Sequence, residues 1–221
     1  MAYILNIETA TKNCSVSLAK DGVTVLFKEV AEQGYSHAEK LHVFIEDVLK
    51  ESKVNFQEIK AIAVSKGPGS YTGLRIGVST AKGLCYALGI PLLSVDTLQV
   101  LAKQVAIEKG LIVPMLDARR MEVYSAVFDH NHHQIQEVQA EVLTEKSYAD
   151  VTEDVYFVGD CQEKCQTVLT APNFIFLPEI IFPSAKDMSA LSYEKFVSNE
   201  FEDVAYFEPF YLKDFILPGK N

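Results

Sequence analysis

The sequence predicts an α/β protein made of two similarly built lobes, an expectation that rests on three observations. Three strand-like runs precede the first amphipathic helix. A glycine–proline turn then joins an apolar strand to a long helix free of proline. After Gly110 the same order, three strands ahead of helices, begins again.

Tyr3 to Thr9 reads as a buried strand, with Ile4, Asn6 and Glu8 on one side and a polar turn from Glu8 to Asn13 after it. Cys14 to Lys20 alternates small polar and apolar residues, and Asp21-Gly22 is a hairpin signal that returns the chain as Val23 to Val30. Ser36-His37-Ala38-Glu39 has the form of a capping box. Behind it Ala38, Leu41, Ile45, Val48 and Leu49 mark one helical face, broadened by Val43 and Phe44, as far as Ser52. The strand Ile59 to Ser65, a helix from Thr72 to Leu88, the strand Pro91 to Val95 and a helix from Thr97 to Glu108 complete the first lobe, residues 1–109.

The turn between that strand and the second helix reads Lys66-Gly67-Pro68-Gly69-Ser70-Tyr71-Thr72-Gly73-Leu74-Arg75-Ile76-Gly77. Two glycines around a proline demand a sharp bend, and Ser70 or Thr72 can cap the helix. Such a helix start attracts anions, though a chain that only needs to turn looks the same. Thr72-Gly73-Leu74 stands where a Walker loop needs Gly-Lys-Ser/Thr, which excludes a P-loop. A relaxed dinucleotide fingerprint from Gly67, Gly69, Gly73 and Asp96 stays open. Gly73, Gly77, Ala81 and Cys85 recur every fourth residue, a stripe of small side chains that invites close approach. Either the protein's own sheet or a partner subunit fills it.

In the second half, Leu111 to Leu116 leads to Asp117-Ala118-Arg119-Arg120, Glu122 to Asp129 pairs back, and Gln134 to Leu143 follows a histidine-rich turn. A short strand at Val155 to Val158, a helix from Asp160, another from about Ala185 to Val197 and an aromatic tail complete residues 110–221, the tail packing back on the first lobe.

Composition narrows the function classes. The formal charge is −10, with 20 basic residues against 30 acidic ones, so the chain lacks the basic footprint of a nucleic-acid binder. Its apolar runs fall short of a membrane span, and Met1 to Ile7 reads as a strand rather than a leader. Cys14, Cys85, Cys161 and Cys165 form no disulfide framework or zinc pattern, and Cys161 and Cys165 are two thiols one helical turn apart, which suits a reduced, cytoplasmic protein.

The first strand and turn, the capped helix, the glycine turn with its Leu74-Arg75-Ile76-Gly77 continuation, Ala118-Arg119-Arg120-Met121-Glu122-Val123-Tyr124 and Pro209-Phe210-Tyr211-Leu212 occur together and in order. In this the chain resembles the bacterial TsaB (YeaZ) family of tRNA threonylcarbamoyladenosine biosynthesis. The resemblance implies the ASKHA (actin-like, hexokinase-like) fold. It also implies a non-catalytic scaffold role beside the catalytic paralogue TsaD, which modifies the adenosine at position 37 of tRNAs reading ANN codons, with the ATPase TsaE joining. The helices matching residues 36–53 and 72–89 would form the interface with TsaD, or with a second copy in a homodimer. That places Leu41, Ile45, Gly73, Leu74, Arg75, Gly77, Val78, Ala81 and Cys85 at the partner, and Gly77→Leu would weaken association while leaving a soluble fold. tRNA would be met only through the complex.

Two departures from the family stand out. Glu8-Thr9-Ala10 replaces the usual Asp-Thr-Ser, and Lys213 follows Tyr211-Leu212 where arginine is usual. Glu8, Thr9, Arg119 and Arg120 are the candidates for a nucleotide cleft; no cofactor and no metal are otherwise expected. Catalytic relatives carry a His-x-x-x-His pair on the helix that begins here at Thr97, which holds no histidine. His37 reads as a surface residue, and His130, His132 and His133 as a hairpin turn. The competing readings are a stand-alone nucleotide-binding enzyme and, least supported, a glycoprotease-like hydrolase.

Overall fold

A computed structural model describes residues 1–31 and 37–212. The cap expected at Ser36 and the departure at Lys213 lie outside the described residues.

The first sheet is built from β1 (Tyr3–Glu8), β2 (Asn13–Lys20), β3 (Val23–Ala31), β4 (Ile59–Gly67) and β5 (Leu92–Asp96), in the order β3-β2-β1-β4-β5. β1, β2 and β3 form an antiparallel meander, while β4 and β5 continue it in parallel with β1. Asp21 (φ 49°) and Gly22 (φ 85°) make the two-residue hairpin turn, both in the left-handed region as a type I′ turn requires. The helices of this lobe are α1 (His37–Ser52), α2 (Tyr71–Leu88) and α3 (Thr97–Ala102). α1 and α2 cover one face through Leu5, Ile7, Val16, Leu18, Leu41, Ile45, Ile62, Val64, Val78 and Cys85.

The second sheet holds β6 (Leu111–Asp117), β7 (Glu122–Asp129), β8 (Gln134–Val142), β9 (Val155–Gly159) and β10 (Phe174–Phe176). Its order, β8-β7-β6-β9-β10, repeats that of the first sheet strand for strand, with the same sequence of antiparallel and parallel pairings. α3 lies between the sheets, where Leu98, Leu101 and Ala102 pack with Ile112, Leu116, Phe128 and Val158. α4 (Gln162–Cys165) and α5 (Ser189–Ser198) complete the chain.

Several elements differ from expectation. α3 stops at Ala102 rather than near Glu108, because Val105 turns inward to burial and its carbonyl meets the His132 ring at 2.9 Å. β10 has only three residues, too few to show a period. The helix expected from Ala185 begins as a 3₁₀ turn, Ala185–Met188, before α5.

Residues 183–212 leave the second sheet and wrap the first. The polar side of β2 receives them: Ser15 Oγ accepts the Ala185 amide at 2.7 Å, Ser17 Oγ donates to Ala185 O at 2.7 Å, and Asn13 Nδ2 donates to Pro183 O at 3.0 Å. Ala185, Met188 and Leu191 fill the face opposite α1 and α2, against Ile4, Ala61, Leu93 and Val95. The tail then pairs with β5 at Leu92 and Glu202, and the Phe210 amide reaches Lys66 O at 2.7 Å.

Candidate protein-interaction face

α2 starts where the sequence allows it to. Ser70 Oγ accepts the Gly73 amide, and Gly89 (φ 65°) ends the helix with its amide on Cys85 O. The four-residue stripe on its inner face lies against the protein's own first turn. A Cβ on Gly73 would stand 2.1 Å from Thr9 O, and one on Gly77 2.2 Å from Thr9 Oγ1. Thr9 Oγ1 donates to Gly73 O at 2.8 Å, and the Ser70 amide donates to Ala10 O at 2.6 Å. Gly73, Leu74, Gly77, Val78, Ala81 and Cys85 are all buried, as are Leu41 and Ile45 on α1. These eight residues, expected at a partner, are buried within the chain's own core, and Gly73 and Gly77 are glycine where Thr9 occupies the space a side chain would need.

His37, read from sequence as a surface residue, is 1% exposed and donates from Nε2 to Thr11 O at 2.7 Å, at the same helix–turn junction. Glu8 and Thr9 are likewise sealed, so neither offers a side chain to a nucleotide cleft. Glu8 Oε1 takes the Ala10 amide at 2.5 Å, while Oε2 is buried without a hydrogen-bond partner among the described residues. Burial pushes this carboxyl up to about 7, against the smaller opposing pulls of the Ala10 amide and the Ser65 hydroxyl. The dinucleotide alternative finds no support either. Asp96 is paired with Lys66 at 3.2 Å, the Gly67 amide donates to Thr97 Oγ1, and Phe210 O packs against Gly67.

Arg119 (φ 77°) and Arg120 (φ 52°) are exposed on the turn after β6. The turn is held from behind by Lys164, whose ammonium meets the Asp117 carboxylate, Arg120 O at 2.7 Å and Glu122 O at 2.8 Å. No sequence signal marked Lys164 for this part.

The outer face of α2 has a different character. Thr72, Arg75, Ser79, Gly83 and Tyr86 recur at helical spacing and are all exposed, with Tyr86 at 87%. Of the expected contact residues only Arg75 is here. Its guanidinium lies 4.1 Å from the centre of the Tyr71 ring and its Nε donates to Tyr211 OH at 3.2 Å, tying the tail to the helix start. A hollow of about 670 Å³ opens between Lys82, Gly83, Tyr86 and residues 203–205, where Lys82 Nζ donates to Ala205 O and Phe207 O. A second, of about 370 Å³, lies between Gly83, Ser79 and His42 of α1. Gly83 lines both, and a Cβ there would meet nothing within 4 Å. Val43, half exposed next to His42 in α1, and Tyr206, 84% exposed next to Ala205 in the tail, are further exposed apolar side chains of these segments. Gly83 and Tyr86 were missed from sequence because they fall outside the apolar phase; an aromatic out of phase on an amphipathic helix was the available signal.

Among the described residues no group of three or more His, Cys, Asp or Glu side chains is arranged to hold a metal, and no helix is long and apolar enough to cross a membrane.

Comparison with known proteins agrees with this architecture. The family model for TsaD, tRNA N6-adenosine threonylcarbamoyltransferase, matches residues 26–212. The tRNA threonylcarbamoyladenosine biosynthesis protein TsaB of Escherichia coli is 29% identical over 232 residues, covering 99% of each chain. The structure of YeaZ from Pseudomonas aeruginosa superimposes with a TM-score of 0.81 at 27% identity, covering 96% of this chain and all of that one. The ethanolamine utilization protein EutJ from Carboxydothermus hydrogenoformans shares the fold alone, with a TM-score of 0.55 at 12% identity over 86% of this chain and 90% of its own. Two sheets of one topology, a family match across most of the chain and relatives aligned end to end lead to one assignment: the chain belongs to the TsaB (YeaZ) family, within the threonylcarbamoyltransferase-related proteins of ASKHA fold.

Proposed function

We propose that this chain serves the formation of threonylcarbamoyladenosine on tRNA as a non-catalytic scaffold, binding and stabilising the catalytic paralogue TsaD while the ATPase TsaE joins the assembly. The observation that carries this reading is the division of α2. Its inner face is consumed by the first turn, whereas Ser79, Gly83 and Tyr86 present an open, partly apolar surface beside α1 and the tail. An apolar surface with an exposed aromatic and a bare glycine suits the close approach of another helix. In the isolated chain a second copy takes that place, giving a homodimer.

Support for a non-catalytic role comes from the position where a nucleotide enzyme of this fold would act. Glu8 and Thr9 point into the protein, and the amide of Ser70 is committed to Ala10 O. These residues do not fit a bound nucleotide, so we assign none and no metal. With a charge of −10, the grip on tRNA falls to other subunits of a cytoplasmic complex.

The test is co-purification with TsaD and TsaE, followed by a tRNA modification assay from which each component is left out in turn. The scaffold reading expects activity to require this chain together with TsaD, and none from this chain alone. Micromolar nucleotide binding in calorimetry together with turnover by the purified chain without partners would overturn it.

A further inference from the structure

Four free thiols are buried in the chain. Cys14 and Cys85 lie in the first lobe, where burial pushes them up to about 12 and about 11. Cys161 and Cys165 form a pair on one turn, with the Cys165 amide on Cys161 O at 3.1 Å. Both side chains enter the apolar cluster of the second lobe, with Val113, Phe157 and Leu169. Lys164, the last of the three residues between them, reaches the other way and grips Asp117, Arg120 O and Glu122 O. A helix of only four residues thus joins a thiol pair to the clamp on an exposed arginine turn.

We propose that Cys161 and Cys165 form a reversible disulfide when a peroxide reaches them, and that closing it loosens the hold of Lys164 on the turn bearing Arg119 and Arg120.

Residues four apart on a helix have Cα atoms about 6 Å apart, within the span of a disulfide. Their Cβ atoms, about 5–6 Å apart at that spacing, must still close to about 4 Å, which demands a shift of the backbone as well as of the side chains. A four-residue helix yields to that demand more readily than the sheet beneath it. The roles within the pair are unequal. The Cys161 thiol, helped by the Lys164 ammonium, favours the thiolate of Cys165 against its own burial and the nearby Asp117 and Asp160, while the thiol of Cys161 is pushed up by that same partner and by burial. Both sulfurs are sealed in the described fold, Cys165 at 0% and Cys161 at 4% exposure, so peroxide reaches them only when this turn opens; Cys165 then attacks first. It displaces hydroxide from the peroxide and becomes a sulfenic acid. Cys161 then attacks that sulfur, its proton and the departing hydroxide leaving as water. Two thiols give up two electrons and one peroxide becomes two waters. A dithiol reductant reverses the bridge.

The experiment treats the full chain with hydrogen peroxide and reads it by mass spectrometry and timed trypsin digestion. The expected result is a loss of about 2 Da in the intact chain, and, after trypsin, which cuts at Lys164, two cysteine peptides held together by the bridge. It should be absent from Cys161→Ser and Cys165→Ser and erased by dithiothreitol. Nicking after Arg119 or Arg120 should run roughly fivefold faster in the oxidised chain, as a local opening would allow. Lys164→Met should nick at the fast rate without peroxide. Sulfinic or sulfonic acid at Cys165 with no bridge would overturn the proposal, and so would a bridge that leaves the nicking rate unchanged. Neither readout depends on TsaD, so this inference stands or falls apart from the scaffold reading.

Discussion

The two faces of α2 carry the same kind of residue for opposite reasons. On the inner face Gly73 and Gly77 are glycine because Thr9 fills the space a side chain would need. On the outer face Gly83 is glycine with open space above it. One pair is demanded by the fold, and the other position is left over from it. A small residue reports that close approach is possible; only the neighbour decides whether it serves folding or association.

The sharpest break comes at Gly77. Gly77→Leu drives a branched side chain into Thr9 Oγ1 and toward Val64, and should destabilise the fold by about 3 kcal/mol or more. Thermal unfolding of the variant, or its insolubility, checks this. A soluble variant with an unchanged Tm and a lost partner would return the stripe to the interface.

The inner face should also show in the pH dependence of stability. Glu8 has a carboxyl raised in the folded chain from 4.5 to about 7, so the folded state holds a proton that the unfolded chain releases between those values. Its contribution is full below about pH 4.5 and is lost as pH rises toward 7. The loss is on the order of 3 kcal/mol. Glu8→Gln should remove that slope in urea unfolding followed across this range. Asp187, raised by burial to about 6, slopes the same way in both proteins and cancels in the difference. Equal slopes for wild type and variant would show that Glu8 ionises freely.

A smaller effect is expected at the junction itself. Thr9→Val keeps the shape but deprives Gly73 O of its hydroxyl donor, a loss of about 1–2 kcal/mol in denaturant unfolding. No loss would mean that the helix start is held by packing alone.

Much of this was legible in the residues, and the gaps have physical causes. Ser70 as cap and Gly89 as stop are local choices, so α2 is found where its ends predict it. The alternation after Cys14, with Ser15 and Ser17, showed one polar side of β2. What lies on that side, residues 183–189, is more than 160 residues away and left no local sign. Thr9 against Gly73 and Gly77 is the same problem over 64 residues. Periodicity gave the stripe but not its neighbour, so residues read as partner contacts lie in the core of the described chain. His37 was misread for the same reason, since its partner Thr11 O belongs to another element. Arg75 alone among the expected contacts was exposed, because it stands out of phase with the apolar positions.

Gly83→Arg tests the division most directly. The arginine enters open space and replaces a helical glycine, so the fold should gain roughly 0.7 kcal/mol while the surface between the two hollows is blocked. Calorimetric titration of the variant with TsaD, run beside a thermal melt, should show a Tm equal to or above that of the wild type and binding weakened by at least about tenfold, or 1.4 kcal/mol. Wild-type affinity for TsaD with that arginine in place would contradict the account.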